Sequence, residues 1–216
     1  MEREERLKNL PAALLPWYAA NARDLPWRRD PAPYHVWLSE IMLQQTRVEA
    51  VKPYYERFLK EIPDGAALAA AGGDRLHKLW EGLGYYARVR NLHAAARQIM
   101  EQYGGVFPRD YNAVRALRGV GDYTAGAICS ICFGLPTPAV DGNVLRVVSR
   151  VTGDTRPVTD ARTRAAVRAE LAAVYPREAC GAFTQALMEL GALICLPNGA
   201  PAWGAGPGGG VCGPPG

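Results

Sequence analysis

Two acidic residues, Glu40 and Asp141, stand in contrasting surroundings. Glu40 lies in the run Trp37-Leu38-Ser39-Glu40-Ile41-Met42. There Leu38, Ile41 and Met42 can strip water from the carboxyl, and desolvation is what raises a carboxylic pKa toward that of a general acid. An isolated Glu on an amphipathic helix ordinarily faces solvent. Asp141 lies in Val140-Asp141-Gly142-Asn143-Val144, an acid beside glycine where a helix begins. Its commonest use there is as an N-cap. A buried carboxyl can also give up a proton as a general acid, and a solvated one can stay ionised. Residue types alone leave the helix-building and the catalytic readings both open.

A second feature is built for an anion. Leu117-Arg118-Gly119-Val120-Gly121-Asp122-Tyr123-Thr124-Ala125 sets two glycines one residue apart between helical stretches. Glycine accepts positive φ and carries no side chain, so a phosphate can approach the amides at the next helix's N-terminus, where the dipole also favours negative charge. A lone G-x-G is more often an ordinary helix connection. His35, His77 and His93 show no ligand spacing, so no histidine metal site is expected. Cys129 and Cys132 form a C-x2-C inside a helical stretch, where small buried side chains are expected.

The elements that must position these groups are helices. Apolar residues recur at helical spacing over 7–20, 36–48, 51–59, 76–83, 90–103, 110–117, 124–133, 143–152, 160–174 and 180–194. Breakers such as Pro26, the run 30–33, Pro63-Asp64-Gly65, Gly72-Gly73 and Gly104-Gly105 separate them. No alternating strand pattern competes. Helices of this length with short links predict an orthogonal all-α array, not a bundle of long helices.

Composition sets wider bounds. The 216 residues are 49% hydrophobic and 21% charged, inside the globular range. A net charge of +4 suits a polyanionic partner and is equally common among other enzymes. Neither an export signal nor an apolar run long enough for a bilayer is evident, which predicts a cytoplasmic protein without a membrane partner. Five cysteines make an odd number for a disulfide framework.

The hairpin GVGxYTA followed about twenty residues later by VDGNV resembles the helix-hairpin-helix base-excision glycosylase superfamily. Leu25-Pro26-Trp27-Arg28, Ser39-Glu40-Ile41-Met42-Leu43-Gln44-Gln45-Thr46 and Gly82-Leu83-Gly84-Tyr85-Tyr86-Ala87-Arg88 stand upstream. With these, the chain resembles the MutY-type adenine DNA glycosylases from about residue 7 to Cys195. The resemblance implies two helical subdomains flanking an active-site cleft. A six-helix barrel with the hairpin would span about 24–135, and 1–23 plus 136–198 would form the remnant of an iron–sulfur module. It implies a monofunctional enzyme, acting as a monomer on double-stranded DNA, that hydrolyses the N-glycosidic bond of adenine mispaired with 8-oxoguanine or guanine.

The roles follow from the same resemblance. Glu40 would protonate adenine at N7 and later help activate water. Asp141 would stabilise the oxocarbenium ion, directly or through a transient covalent bond, with Tyr123 and Asn143 orienting it and the sugar. Tyr123 stands where strand-cleaving relatives place a Schiff-base lysine, which implies base removal without efficient strand scission. Gln45 and Tyr85 would fill the vacancy left by the extruded base, and Trp27, Arg28 and Gln185 would line its pocket. Leu117, Gly119, Val120, Gly121 and Thr124 would hold the DNA backbone, and a monovalent cation at the hairpin is implied. Lys78, Arg88 and Arg90 are expected as phosphate contacts or solvated charges.

The resemblance also implies a [4Fe-4S] cluster on C-x6-C-x2-C-x5-C, and here the chain departs from it. Cys195 fits the first position, Ala202 and Ala205 occupy the next two, and the fourth falls on Val211, one residue before Cys212. A four-iron cluster needs a thiolate on each iron, so it is expected to be absent or incomplete. Residues 199–216, nearly all Gly, Pro and Ala, are expected to be a disordered tail. The family's further C-terminal domain, which recognises 8-oxoguanine, is not in this sequence, and a weakened preference for the oxidised partner is expected. The alternatives are a related thymine mismatch glycosylase and a catalytically silent DNA-binding remnant.

Overall fold

The computed structural model describes residues 2–198, 202, 206 and 207. The expected disordered tail, with Ala205, Val211 and Cys212, otherwise lies outside the described residues. Twelve helices and no strand occur among the described residues. They are α1 (Arg3–Asn21), α2 (Pro26–Arg29), α3 (Pro33–Leu43), α4 (Val48–Glu61), α5 (Gly65–Ala70), α6 (Gly73–Trp80), α7 (Ala87–Tyr103), α8 (Tyr111–Arg115), α9 (Asp122–Phe133), α10 (Gly142–Thr152), α11 (Ala161–Val174) and α12 (Cys180–Leu193). No helix among them is long and apolar enough to cross a membrane.

The chain divides into two compact units, Met1–Arg23 with Phe133–Gly216, and Asp24–Cys132. In the first, α1 lays Leu7, Leu10, Leu14 and Trp17 against Val144, Val147, Val148 and Val151 of α10, Val167 and Leu171 of α11, and Phe183, Leu187 and Leu190 of α12. The spacings 7, 10, 14, 17 and 144, 147, 148, 151 are the i, i+3, i+4, i+7 stripe of helices buried on one face. Each such aliphatic side chain contributes roughly 1.5–3 kcal/mol on burial. Glu189 is fully buried in α12 and is held by the main-chain N–H of Arg23 at 2.9 Å and by its guanidinium at 2.8 and 2.9 Å.

The second unit has an aromatic core. Trp37, Tyr55, Phe58 and Trp80 are almost wholly buried, and the pairs Trp27–Tyr55, Trp37–Phe107 and Phe58–Trp80 meet edge to face. Such pairs add about 0.5–1.5 kcal/mol each beyond their area.

Several helix boundaries differ from the periodicity. The stretch 36–48 ends early, at Leu43, because Gln45 turns into the left-handed region (φ +56), and α4 then starts at Val48 instead of 51. Two helices stand where the breakers predict connections. α2 is four residues opened by Pro26 at its start, too short to show a period. α5 begins where Asp64 accepts from Ala67 N at 2.7 Å, so the Pro-Asp-Gly run is a cap.

Candidate functional site

Glu40 and Tyr123 belong to the second unit, and Asp141 and Asn143 to the first. α3 positions Glu40. Every residue from Val36 to Met42 on this helix is buried, and Glu40 is 7% exposed. A carboxyl in so apolar a helix is costly unless it has a function or a partner. The Cys132 thiol of α9 lies within electrostatic range of it. Burial first, then Cys129 and Glu40, push that thiol up to about 12, and burial and Asp110 push Cys129 up to about 11. Both cysteines therefore act as protonated packing groups at neutral pH. Tyr123 is partly buried in the first turn of α9.

The hairpin enters α9 through Gly119 at φ +77. A Cβ at Gly119 would come 2.6 Å from Asn91 Cβ, so the turn needs glycine both for its conformation and for its closeness to α7. Val120 N–H donates to Leu117 O at 3.0 Å. Arg115 braces the turn by donating to Val120 O at 3.0 Å and to Asp122 Oδ1 at 2.6 Å. Leu117, Val120 and Thr124 are buried, so what they can offer a phosphate is main chain, and the Thr124 hydroxyl is not at the surface. Sequence reasoning overlooked Arg115. Its signal was a basic residue four positions before a tight turn that leaves carbonyls to be satisfied.

Gln45 and Tyr85 are exposed and, among the described residues, are the only non-glycine residues with positive φ (+56 and +46). Trp27 is a buried core side chain against Tyr55, and Arg28 beside it is partly buried. Gln185 belongs to the first unit, where its Oε1 accepts from Tyr18 OH at 3.2 Å. Lys78 and Arg90 are exposed.

Arg88 is a correction. It is neither a solvated charge nor placed to meet a phosphate: it is 7% exposed and donates to Met42 O, Gln44 O and Leu83 O of the second unit. A signal was present, since 88, 92, 95 and 99 share one stripe of α7, and Leu92, Ala95 and Ile99 are its buried face.

In the first unit Asp141 caps α10, its Oδ1 accepting from Val144 N at 2.8 Å and its Oδ2 from Asn143 Nδ2 at 2.9 Å. The helix-building use and a fixed, partly solvated carboxylate are thus the same arrangement. Asn143 Oδ1 in turn accepts from Arg146 Nη2 at 2.8 Å, and Arg146 also donates to Gly191 O at 3.0 Å and Cys195 O at 2.6 Å. Gly191 makes room for this chain of bonds, because a Cβ there would lie 2.9 Å from Asn143 Cβ.

A four-iron cluster does not fit the residues present. Cys195 is fully buried, and burial holds its thiol above the usual range against the pull of Arg150. The second ligand position is Ala202, whose backbone N–H donates to Ile194 O at 3.2 Å, and the third is Ala205. Alanine has no donor atom for iron. Among the described residues no group of three or more His, Cys, Asp or Glu could hold a metal ion.

The chain is 44% identical over 195 residues to adenine DNA glycosylase of Mus musculus, covering 86% of this chain and 38% of that protein. It is 38% identical over 187 residues to adenine DNA glycosylase of Mycolicibacterium smegmatis, covering 86% of this chain and 63% of that protein. It thus spans less than two thirds of the length of these curated relatives. Among solved structures it is similar to a thermostable thymine-DNA glycosylase, with a TM-score of 0.83 and 28% identity over 91% of this chain and 90% of that one. A non-covalent endonuclease III–DNA complex shares the fold, with a TM-score of 0.77 and 22% identity over 95% and 94%. The model of the HhH-GPD superfamily base excision DNA repair proteins matches residues 38–173, more than half of the chain, and the chain belongs to that family.

Proposed function

We propose that this chain is the catalytic part of a monofunctional DNA glycosylase that hydrolyses the N-glycosidic bond of adenine mispaired with 8-oxoguanine or guanine. The observation that carries the reading is Glu40, a carboxyl on a wholly buried helix face. A carboxyl carried on such a face can serve as a general acid to a leaving group. Glu40 would protonate adenine at N7. The C1′–N9 bond then breaks with its electron pair passing to the base, and the sugar becomes an oxocarbenium ion. Asp141, fixed by Val144 N and Asn143, would balance that charge, and water attacks C1′ with its proton passing to Glu40. The products are free adenine and an abasic site.

Several features support the reading. Relatives at 36–44% identity over most of this chain are named adenine DNA glycosylases. Tyr123 offers no amine for a Schiff base, which fits hydrolysis without strand scission. Trp27, Arg28 and Gln185 would contribute to base recognition, Gln45 and Tyr85 would replace the extruded base, and residues 117–124 would hold the phosphate backbone. A monovalent cation at the hairpin would use the second lone pairs of Leu117 O and Val120 O, each of which already accepts one hydrogen bond. Residues 136–198 with 1–23 would be an iron–sulfur module that works without its cluster, in a monomeric cytoplasmic enzyme.

The test is a panel of duplexes with A·8-oxoguanine, A·G, T·G and A·T pairs, scored for abasic sites in single turnover. The expected result is cleavage at both mispaired adenines at comparable rates. The 28% identity to a thymine-DNA glycosylase makes preferential cleavage at T·G the second reading. Binding without any abasic product would leave a DNA-binding remnant.

A further inference from the structure

We propose that Arg88 is a positioning residue: one buried guanidinium clamps the turns that carry Gln45 and Tyr85, and so presets both exposed side chains for insertion into DNA. The inference rests on the base-extrusion reading above.

The two N–H groups of Arg88 Nη1 donate to Met42 O at 2.8 Å and Gln44 O at 2.6 Å and are shared with Ile41 O and Thr46 Oγ1, each at 3.2 Å. Its Nη2 donates to Leu83 O at 3.0 Å and Gly84 O at 3.2 Å. Two of these acceptors, Gln44 and Thr46, flank Gln45, and the other pair, Leu83 and Gly84, leads into Tyr85. Ile41 and Met42 are in the last turn of α3, where carbonyls have no partner within the helix and the dipole favours a cation. The guanidinium also lies 5.5 Å from the centre of the Trp80 ring and 5.5 Å from that of Tyr85.

What distinguishes this from an ordinary buried arginine is which residues it secures. A non-glycine residue in the left-handed region persists only where its surroundings hold it there, and such strain gathers at working sites. Gln45 and Tyr85 are both strained and both exposed, and Tyr85 is 62% accessible. Side chains this open gain little from packing, so the restraint must come through the backbone. Arg88 supplies it to both turns from one group. The separation of the two side chains is thereby fixed before DNA arrives, and little ordering is left to be done on binding. Lysine could not substitute, because a single ammonium cannot span acceptors on two turns as a planar fork does.

The experiment uses the full chain and a duplex with 2-aminopurine stacked beside the mispaired adenine, whose fluorescence rises when the neighbouring base leaves the stack. Arg88→Lys is expected to keep the helical circular dichroism and the salt dependence of duplex binding. Its fluorescence rise and single-turnover rate should fall by about tenfold, the scale of one strained residue released. Adding Arg88→Lys to a Gln45→Ala/Tyr85→Ala protein should cost nothing further, because the residues it positions are gone. A full penalty in that background, or an unchanged fluorescence rise in Arg88→Lys alone, overturns the inference. Should Arg88→Lys fail to fold, the cycle of Gln45→Ala and Tyr85→Ala, both at exposed positions, decides. Non-additive losses in extrusion support a shared clamp, and additive losses refute it. A wild-type protein that gives no fluorescence rise overturns the extrusion reading itself, whereas a rise insensitive to Arg88 overturns only the clamp.

Discussion

Gly119→Ala and Gly121→Ala form a matched pair two residues apart in one turn, and the structure assigns them opposite outcomes. Gly119 sits at φ +77, where an L-residue costs about 1–2 kcal/mol. The new Cβ would also stand 2.6 Å from Asn91 Cβ, an atom on the rigid α7 helix that cannot swing away. Forcing an added methyl into such a contact costs roughly 1–3 kcal/mol more. The sum, about 2–5 kcal/mol, corresponds to a fall in melting temperature on the order of 5–15 °C for a chain of this size. Gly121 has no positive φ, and a Cβ there meets nothing within 4 Å. Its replacement should leave stability unchanged or raise it by about 0.5 kcal/mol, by restricting the unfolded chain. In the bound state, however, that open space is where a phosphate would approach. Gly121→Ala should therefore melt like wild type and bind duplex DNA more weakly. Differential scanning calorimetry and fluorescence anisotropy with a labelled duplex read the two quantities separately. Equal melting temperatures for the two variants would refute the packing argument, and wild-type affinity in Gly121→Ala would refute the phosphate approach.

Other consequences can be measured in the same way. Glu40→Gln should lower the single-turnover rate of adenine release by about 10²–10⁴, the range for a lost general acid, with duplex affinity retained in a gel-shift assay. Asp154 is held down to about 2 by hydrogen bonding to Arg156, with Arg3 adding its charge, against an ordinary value of 3.8. Because its folded pKa lies below the unfolded one, this carboxylate adds stability above about pH 4 and loses it as pH falls through 2. The side chain is 4% exposed, so the contribution is about 2 kcal/mol, and Asp154→Asn should lower the neutral-pH melting temperature by about 4–8 °C with the difference shrinking below pH 3. Purified protein should contain no stoichiometric iron by elemental analysis, and Cys195→Ser should leave its visible absorption spectrum unchanged. Duplex affinity should fall as a power of salt concentration, and a slope near zero would count against phosphate contacts.

The parts of the molecule that were legible in the sequence are those where residue type and spacing act over a few positions. Helical periodicity located the longer helices because their buried stripes repeat over three turns or more. The hairpin could be read from Gly119 and Gly121, and Asp141 from its place before a helix. α2 and α5 escaped because four and six residues are too few for a period, and because Pro26 and Asp64 announce a helix start as readily as a break. Arg88 was misjudged because charge alone suggests solvent, whereas its register on α7 shows which face it occupies. The left-handed turns at Gln45 and Tyr85 carry no local signature, since neither residue type favours that region. Arg88 holds the Tyr85 turn from three positions away, but it reaches the Gln45 turn across more than forty residues, and no spacing rule announces that bond.

The first unit is assembled from the two extremes of the chain, with residues 24–132 forming a separate unit between them. Leu7, Leu10, Leu14 and Trp17 consequently leave the ribosome with none of their final neighbours yet synthesised, and α10 follows only after more than a hundred further residues. At ordinary translation speeds α1 waits on the order of 5–20 seconds before its greasy stripe can be covered. Newborn chains should depend on holdase chaperones through that interval, and truncation ahead of α12 should yield aggregates even though the intervening unit can already have formed.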